Sequence, residues 1–149
     1  MARLFLLALI LVPALAQGVR TGITPGEMEA LVKAGAYRYE RVEEVGRVYF
    51  HLRLAGLRAV LFLQDCREGS CESLLLYAGF STDNPPSLER VNEWNREKRF
   101  SRAYLDEEGD PVLEADLDLA GGVADGAIRA FLDLFEENLR AFAAWIGWE

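Results

Sequence analysis

The sequence predicts an α+β fold in which an antiparallel sheet is packed with helices, in the order α-β-β-β-β-α-β-β-α. Three observations carry that prediction. Apolar residues recur with a period of two from Tyr37 to Phe80, broken by turn-forming residues near Glu44-Val45-Gly46, at Gly56 and between Cys66 and Cys71. Helix start signals stand on either side of that stretch, at Thr24 and at Ser87. The last segment places Ile128, Phe131, Leu132, Phe135, Leu139, Phe142 and Ile146 at helical i, i+3, i+4, i+7 spacing.

Residues 1–16 read as an address rather than as part of the fold. Arg3 precedes an unbroken apolar run from Leu4 to Val12, and Pro13 and the small-residue pattern Ala14-Leu15-Ala16 follow. This is the layout of a secretory signal peptide with an Ala-x-Ala cleavage site, and it puts the mature N-terminus at Gln17. The run stops well short of the roughly 20 residues that a bilayer core requires. The expectation is an exported chain, periplasmic or secreted, with one domain over 17–149 and no stable membrane insertion after cleavage.

Thr24-Pro25-Gly26-Glu27 fits a capping box with proline at the first helical position, and Met28, Leu31 and Val32 give the short helix its apolar face before Gly35 ends it. The period of two over Tyr37 to Phe80 then reads as a four-stranded meander. In an oxidising compartment, Cys66 and Cys71 face each other across the loop Arg67-Glu68-Gly69-Ser70 and form a disulfide. That register sets Val60 opposite Tyr77, Leu61 opposite Leu76, Phe62 opposite Leu75 and Leu63 opposite Leu74. Both faces of the hairpin are apolar, so helices or a second subunit are expected to cover each of them.

Asp83-Asn84-Pro85-Pro86 breaks the chain, and Ser87 caps a helix from Leu88 to about Lys98. A hairpin follows, from Arg99 to Leu105 and from Val112 to Leu119, around the turn Glu107-Glu108-Gly109-Asp110. Pairing Leu105 with Val112 gathers Phe100, Tyr104, Leu113, Ala115 and Leu117 on one face and opposes Arg99 to Asp118 and Ser101 to Asp116 on the other. Gly121-Gly122 is a turn before the final helix. That helix carries a second apolar stripe, Ala127, Ala130, Leu134, Ala141, Trp145 and Trp148, beside its core stripe.

Composition narrows the functional classes. The chain has 149 residues, 51% of them hydrophobic and 27% charged, which suits one ordered globular domain. Acidic residues outnumber basic ones 24 to 16, for a net charge of −8, so the basic face of a nucleic-acid binder is not expected. A single His and two Cys leave too few ligands for most zinc sites and no His-based triad with a spare base, and no cofactor is expected. Glu114, Asp116 and Asp118 lack the loop spacing of a calcium site and any sign of the deep cleft that paired glycosidase carboxyls need, and a solvated acidic strand face is the expectation. His51, alternating with apolar neighbours, is expected at the surface or hydrogen-bonded rather than as a ligand.

The stretch from Ser87 to Val123, with Asn92, Trp94, Asn95, Arg99, Phe100, Ala103, Tyr104, Asp106, Gly109, Pro111, Glu114, Asp116, Gly121 and Gly122 at their particular spacings, closely resembles the YbjN family of bacterial proteins. The resemblance extends through the cysteine hairpin, which looks like an exported branch of the family, and through the last helix. It implies a twisted antiparallel sheet packed with helices, similar to type III secretion chaperones, and a sensory transduction regulator or chaperone-like factor that binds other proteins and is no enzyme. The alternative is an inhibitor or accessory factor of one envelope enzyme.

The candidate partner-binding residues are Asn92, Trp94, Asn95, Arg99, Arg102, Leu134 and Trp145. Trp94 can serve as an aromatic platform with Asn95 and Arg102 donating hydrogen bonds, or it can pack the second helix on the sheet while the asparagines satisfy backbone groups and Arg99 pairs with Asp118. The packing reading is preferred. Leu134 and Trp145 mark the second stripe of the last helix, where a protein partner or a second copy is expected, the alternative being that the first helix packs there.

Overall fold

The computed structural model describes residues 18–148, so the signal peptide expected over 1–16 and its expected cleavage before Gln17 lie outside the described residues. The elements are β1 (Val19–Arg20), α1 (Pro25–Ala34), β2 (Arg38–Glu44), β3 (Arg47–Leu54), β4 (Leu57–Arg67), β5 (Ser70–Gly79), α2 (Leu88–Glu97), β6 (Arg102–Leu105), β7 (Pro111–Asp118), β8 (Val123–Ala124) and α3 (Asp125–Ile146). Six strands form an antiparallel sheet in the order β2-β3-β4-β5-β7-β6. The expected α+β architecture is therefore present, with an added ribbon of β1 and β8 at the start of α3.

Three tight turns set the register of the long half of the sheet. Val45-Gly46, Ala55-Gly56 and Glu68-Gly69 all have positive φ, between 50° and 82°, the sign pattern of the two-residue type I′ turn that matches strand twist. Glu44 therefore pairs with Arg47, Leu54 with Leu57 and Arg67 with Ser70. The cysteine loop is thus tighter than the four enclosed residues suggest. Cys66 faces Cys71, the disulfide is formed, and the predicted pairings from Val60–Tyr77 to Leu63–Leu74 all hold. Ile23 exchanges two backbone hydrogen bonds of 2.9 Å with Cys71, tying the segment before α1 to the same hairpin.

The second hairpin departs from its expected register. Leu105 pairs with Pro111 and Arg102 with Glu114, a slip of one residue that exchanges the two faces of β6. The cause is the turn: Asp106 N–H donates to the Asp110 carbonyl at 3.0 Å, and Gly109 closes the loop at φ 87°. The Asp106 carboxylate accepts from the N–H groups of Glu108 and Asp110 at 3.0 and 2.9 Å. As a result Arg99 does not oppose Asp118, nor Ser101 Asp116; Asp118 pairs instead with Ser73 of β5. Phe100, at φ 65°, breaks the extended chain before β6 can begin.

The helices share one face of the sheet. Thr24 and Glu27 close the predicted capping box, with Glu27 accepting from Thr24 N–H at 2.8 Å, and the Ser87 hydroxyl accepts from Arg90 N–H at 3.3 Å. Met28, Val32, Trp94, Leu132, Phe135, Leu139 and Phe142 from the helices meet Phe50, Leu52, Leu61, Leu74, Leu76 and Leu113 of the sheet in one core. The expected cover is found on this face only. On the other, Val42, Tyr49, Val60, Phe62, Leu75 and Tyr77 are half-buried and do not join the helix-covered core. They shield one another across the strands, with the Tyr49 and Phe62 rings 5.7 Å apart. No helix among the described residues is long and apolar enough to cross a membrane.

Candidate partner-binding edge

Several of the candidate residues are used up inside the fold. Trp94 is 2% exposed and packs edge-on to Phe142 at 4.9 Å and against Trp145 at 5.5 Å. Trp145 stacks on Phe142 and carries the Arg90 guanidinium 4.5 Å above its ring, while Trp148 packs on Phe80 at 5.1 Å. The C-terminal half of the second stripe of α3 is therefore tied to the core by an aromatic cluster, with Trp145 half-buried and Trp148 still 38% exposed. Asn95 spans the gap between α2 and β6: its amide donates to the Ala103 carbonyl at 2.9 Å and accepts from the Ala103 N–H at 2.8 Å. One side chain thereby takes the place of a neighbouring strand and blunts the outer edge of β6. Asn92 lies exposed on α2.

The other candidates gather where β6 ends. Because β6 begins at Arg102, opposite Glu114, β7 runs on from Ala115 to Asp118 with no strand of the described residues on its outer side. Beside this free edge lies a groove of about 430 Å³, walled by Phe100 and Ser101 on one side and by Ala127, Ala130, Phe131 and Leu134 of α3 on the other. Phe100 is 60% and Leu134 36% exposed, high for large apolar side chains. The Ser101 hydroxyl is buried without a hydrogen-bond partner among the described residues. Asn138 donates to the Arg99 carbonyl at 3.1 Å and holds the strand entry against α3, and the Arg99 guanidinium covers the Phe100 ring at 4.8 Å.

Charge at the groove mouth is organised around Arg102. Its Nε and Nη2 donate to Glu114 at 3.0 and 2.5 Å, and its Nη1 donates to Asp116 at 2.6 Å. Tyr104 donates to the second Glu114 oxygen at 2.8 Å. Burial, and then this hydrogen bond, push the Tyr104 phenol up to about 12. Both carboxylates are thus engaged by a fixed cation, and Asp118 accepts from Ala120 N–H at 2.8 Å. Glu114, buried, and Asp116, half-exposed, thus fasten β7 to β6 through Arg102. Among the described residues no group of three or more His, Cys, Asp or Glu side chains is placed to hold a metal ion.

The edge brings Arg102 and Leu134 together, with Arg99 behind Phe100; Trp94 stands inside the adjoining core, Trp145 packs half-buried against it and Asn95 lies exposed on α2. The free strand of β7 is the feature that the sequence did not reveal, because it follows from the left-handed break at Phe100, after which β6 begins only at Arg102. Gly109, whose left-handed conformation favours a three-residue loop over a four-residue one, was the signal for the shifted register of the hairpin.

A family model named YbjN, with the description "Putative bacterial sensory transduction regulator", matches residues 24–148. No curated protein matches the chain.

Proposed function

The chain belongs to the YbjN family, and from that premise we propose that it is an exported, non-enzymatic regulator of the cell envelope that works by binding an extended segment of a partner protein at the open edge of β7. The observation that carries this reading is the coincidence of a free strand edge with an apolar groove. A segment pairing with Ala115–Asp118 gains main-chain hydrogen bonds, while every second side chain enters the space between Phe100 and Leu134. The partner segment is extended, with small apolar residues at alternate positions. Its entry also gives the Ser101 hydroxyl a partner.

The test is recovery of partners from envelope extract with the mature chain, its Leu134→Ser variant and an Arg140→Ser control on the exposed face of α3. The expected result is capture by the wild type and the control, and loss with Leu134→Ser. Equal capture by all three overturns the edge as the binding surface. Recovery of one enzyme in stoichiometric amount identifies the accessory-factor form of the same activity.

A further inference from the structure

The far side of the sheet carries a second arrangement, independent of the β7 edge. Arg38 pairs with Arg53 across β2 and β3, and Arg53 pairs with Arg58 across β3 and β4, so three guanidinium side chains stand in one row on the helix-free face. Like charges directly opposite each other on neighbouring strands are destabilising. None of the three has an ion-pair partner among the described residues, although acids outnumber bases 24 to 16 in the chain. Elsewhere Arg20, Arg41 and Arg102 each engage two carboxylates. The row lines a shallow depression of about 330 Å³, together with Glu40 and His51. The Nδ1 of His51 is itself buried and has no hydrogen-bond partner among the described residues.

We propose that the row Arg38, Arg53 and Arg58, flanked by His51, is a binding site for a small multiply charged phosphoryl anion. Strands about 4.8 Å apart bring three planar forks within reach of one or two adjoining phosphoryl groups, and the guanidinium geometry matches such oxyanions bidentately. Binding relieves the mutual repulsion of the row. Glu40, on the same face beside His51, opposes the anion and keeps affinity below what three arginines alone give. The shared chemistry is the phosphoryl group, supplied either by a soluble phosphate ester or by a lipid headgroup.

Titration calorimetry with pyrophosphate at low ionic strength tests the site. Saturable binding is expected for the wild type, weakened about tenfold or more in Arg53→Gln, strengthened in Glu40→Gln and unchanged in Arg67→Gln, whose arginine lies outside the row. Arg53→Gln is also expected to melt at higher temperature than the wild type without ligand, which shows that weaker binding does not reflect misfolding. Absence of saturable binding, or equal affinity in Arg53→Gln and Arg67→Gln, overturns the proposal. Vesicles of anionic phospholipid distinguish the sources: binding that pyrophosphate displaces and Arg53→Gln abolishes assigns a headgroup, and no vesicle binding beside positive calorimetry assigns a soluble ligand.

Discussion

Arg102→Met removes the one cation that pairs with Glu114 among the described residues. The Glu114 side chain is 9% exposed, and it then keeps only the Tyr104 hydroxyl and the strand backbone for company. Breaking a fully buried pair costs about 3–5 kcal/mol, because a charge is left without compensation. Here the guanidinium itself is 56% exposed, which screens the pair and lowers the figure to about 2 kcal/mol. For a domain of this size that corresponds to a fall of about 7 °C in Tm. Methionine keeps most of the arginine stem, so lost packing contributes little. Urea denaturation of the wild type, Arg102→Met, Glu114→Gln and the double variant measures the coupling directly. The double variant is expected to be more stable than Arg102→Met alone, since glutamine still accepts from Tyr104 and leaves no buried charge. An Arg102→Met variant within 0.5 kcal/mol of the wild type, or a coupling of zero, refutes the clamp.

Three further outcomes follow from the same structure. Val45 is a fully exposed β-branched residue at φ 50° in a type I′ turn, and Val45→Asn is expected to stabilise the protein by about 1 kcal/mol, read as an increase in denaturation midpoint at constant slope. All five tyrosines have raised pKa values: burial comes first for Tyr37, Tyr49, Tyr77 and Tyr104, and a hydrogen bond to Glu29 comes first for Tyr39. Folding thus favours the neutral phenols, and the stability they contribute is complete below the unfolded value of about 10. It is lost as pH rises through the folded values, with Tyr104 near 12, so ultraviolet titration at pH 10 is expected to show less phenolate in the folded protein than in the unfolded chain, and Tyr104→Phe to blunt the alkaline loss. Cys66→Ser leaves a folded protein destabilised by about 2 kcal/mol, the chain-entropy value for so short a loop, and a wild type that melts identically with and without reductant contradicts this.

What could be read from the sequence was what local chemistry decides. Thr24 with Glu27 and Ser87 before Leu88 announce helices because a side-chain oxygen must satisfy the first free N–H groups, and that need does not depend on the rest of the fold. Cys66 opposite Cys71 fixed a register over the length of β4 and β5 because one pair determines all the others. The β6–β7 hairpin had no such pin, and a three-residue loop differs from a four-residue one only in which residue takes the left-handed conformation. That single choice decided whether Arg102 or Arg99 stands opposite an acid, while the break at Phe100 left the edge of β7 open. The two-residue strands β1 and β8 carry no periodicity to detect. Trp145 looked like a free stripe because helical spacing gives a side chain's angle on the helix but not what stands opposite, here Phe142 and Trp94.

The central claim is that a protein partner docks in the groove between β7 and α3. A photo-crosslinking amino acid placed at position 134, compared with one at position 140 on the exposed face of the same helix, tests it in intact cells. The groove reading predicts a discrete crosslinked product from position 134, none from position 140, and loss of that product when Ala130→Arg fills the groove. Equal products from both positions, or none from position 134 at native expression, contradicts it.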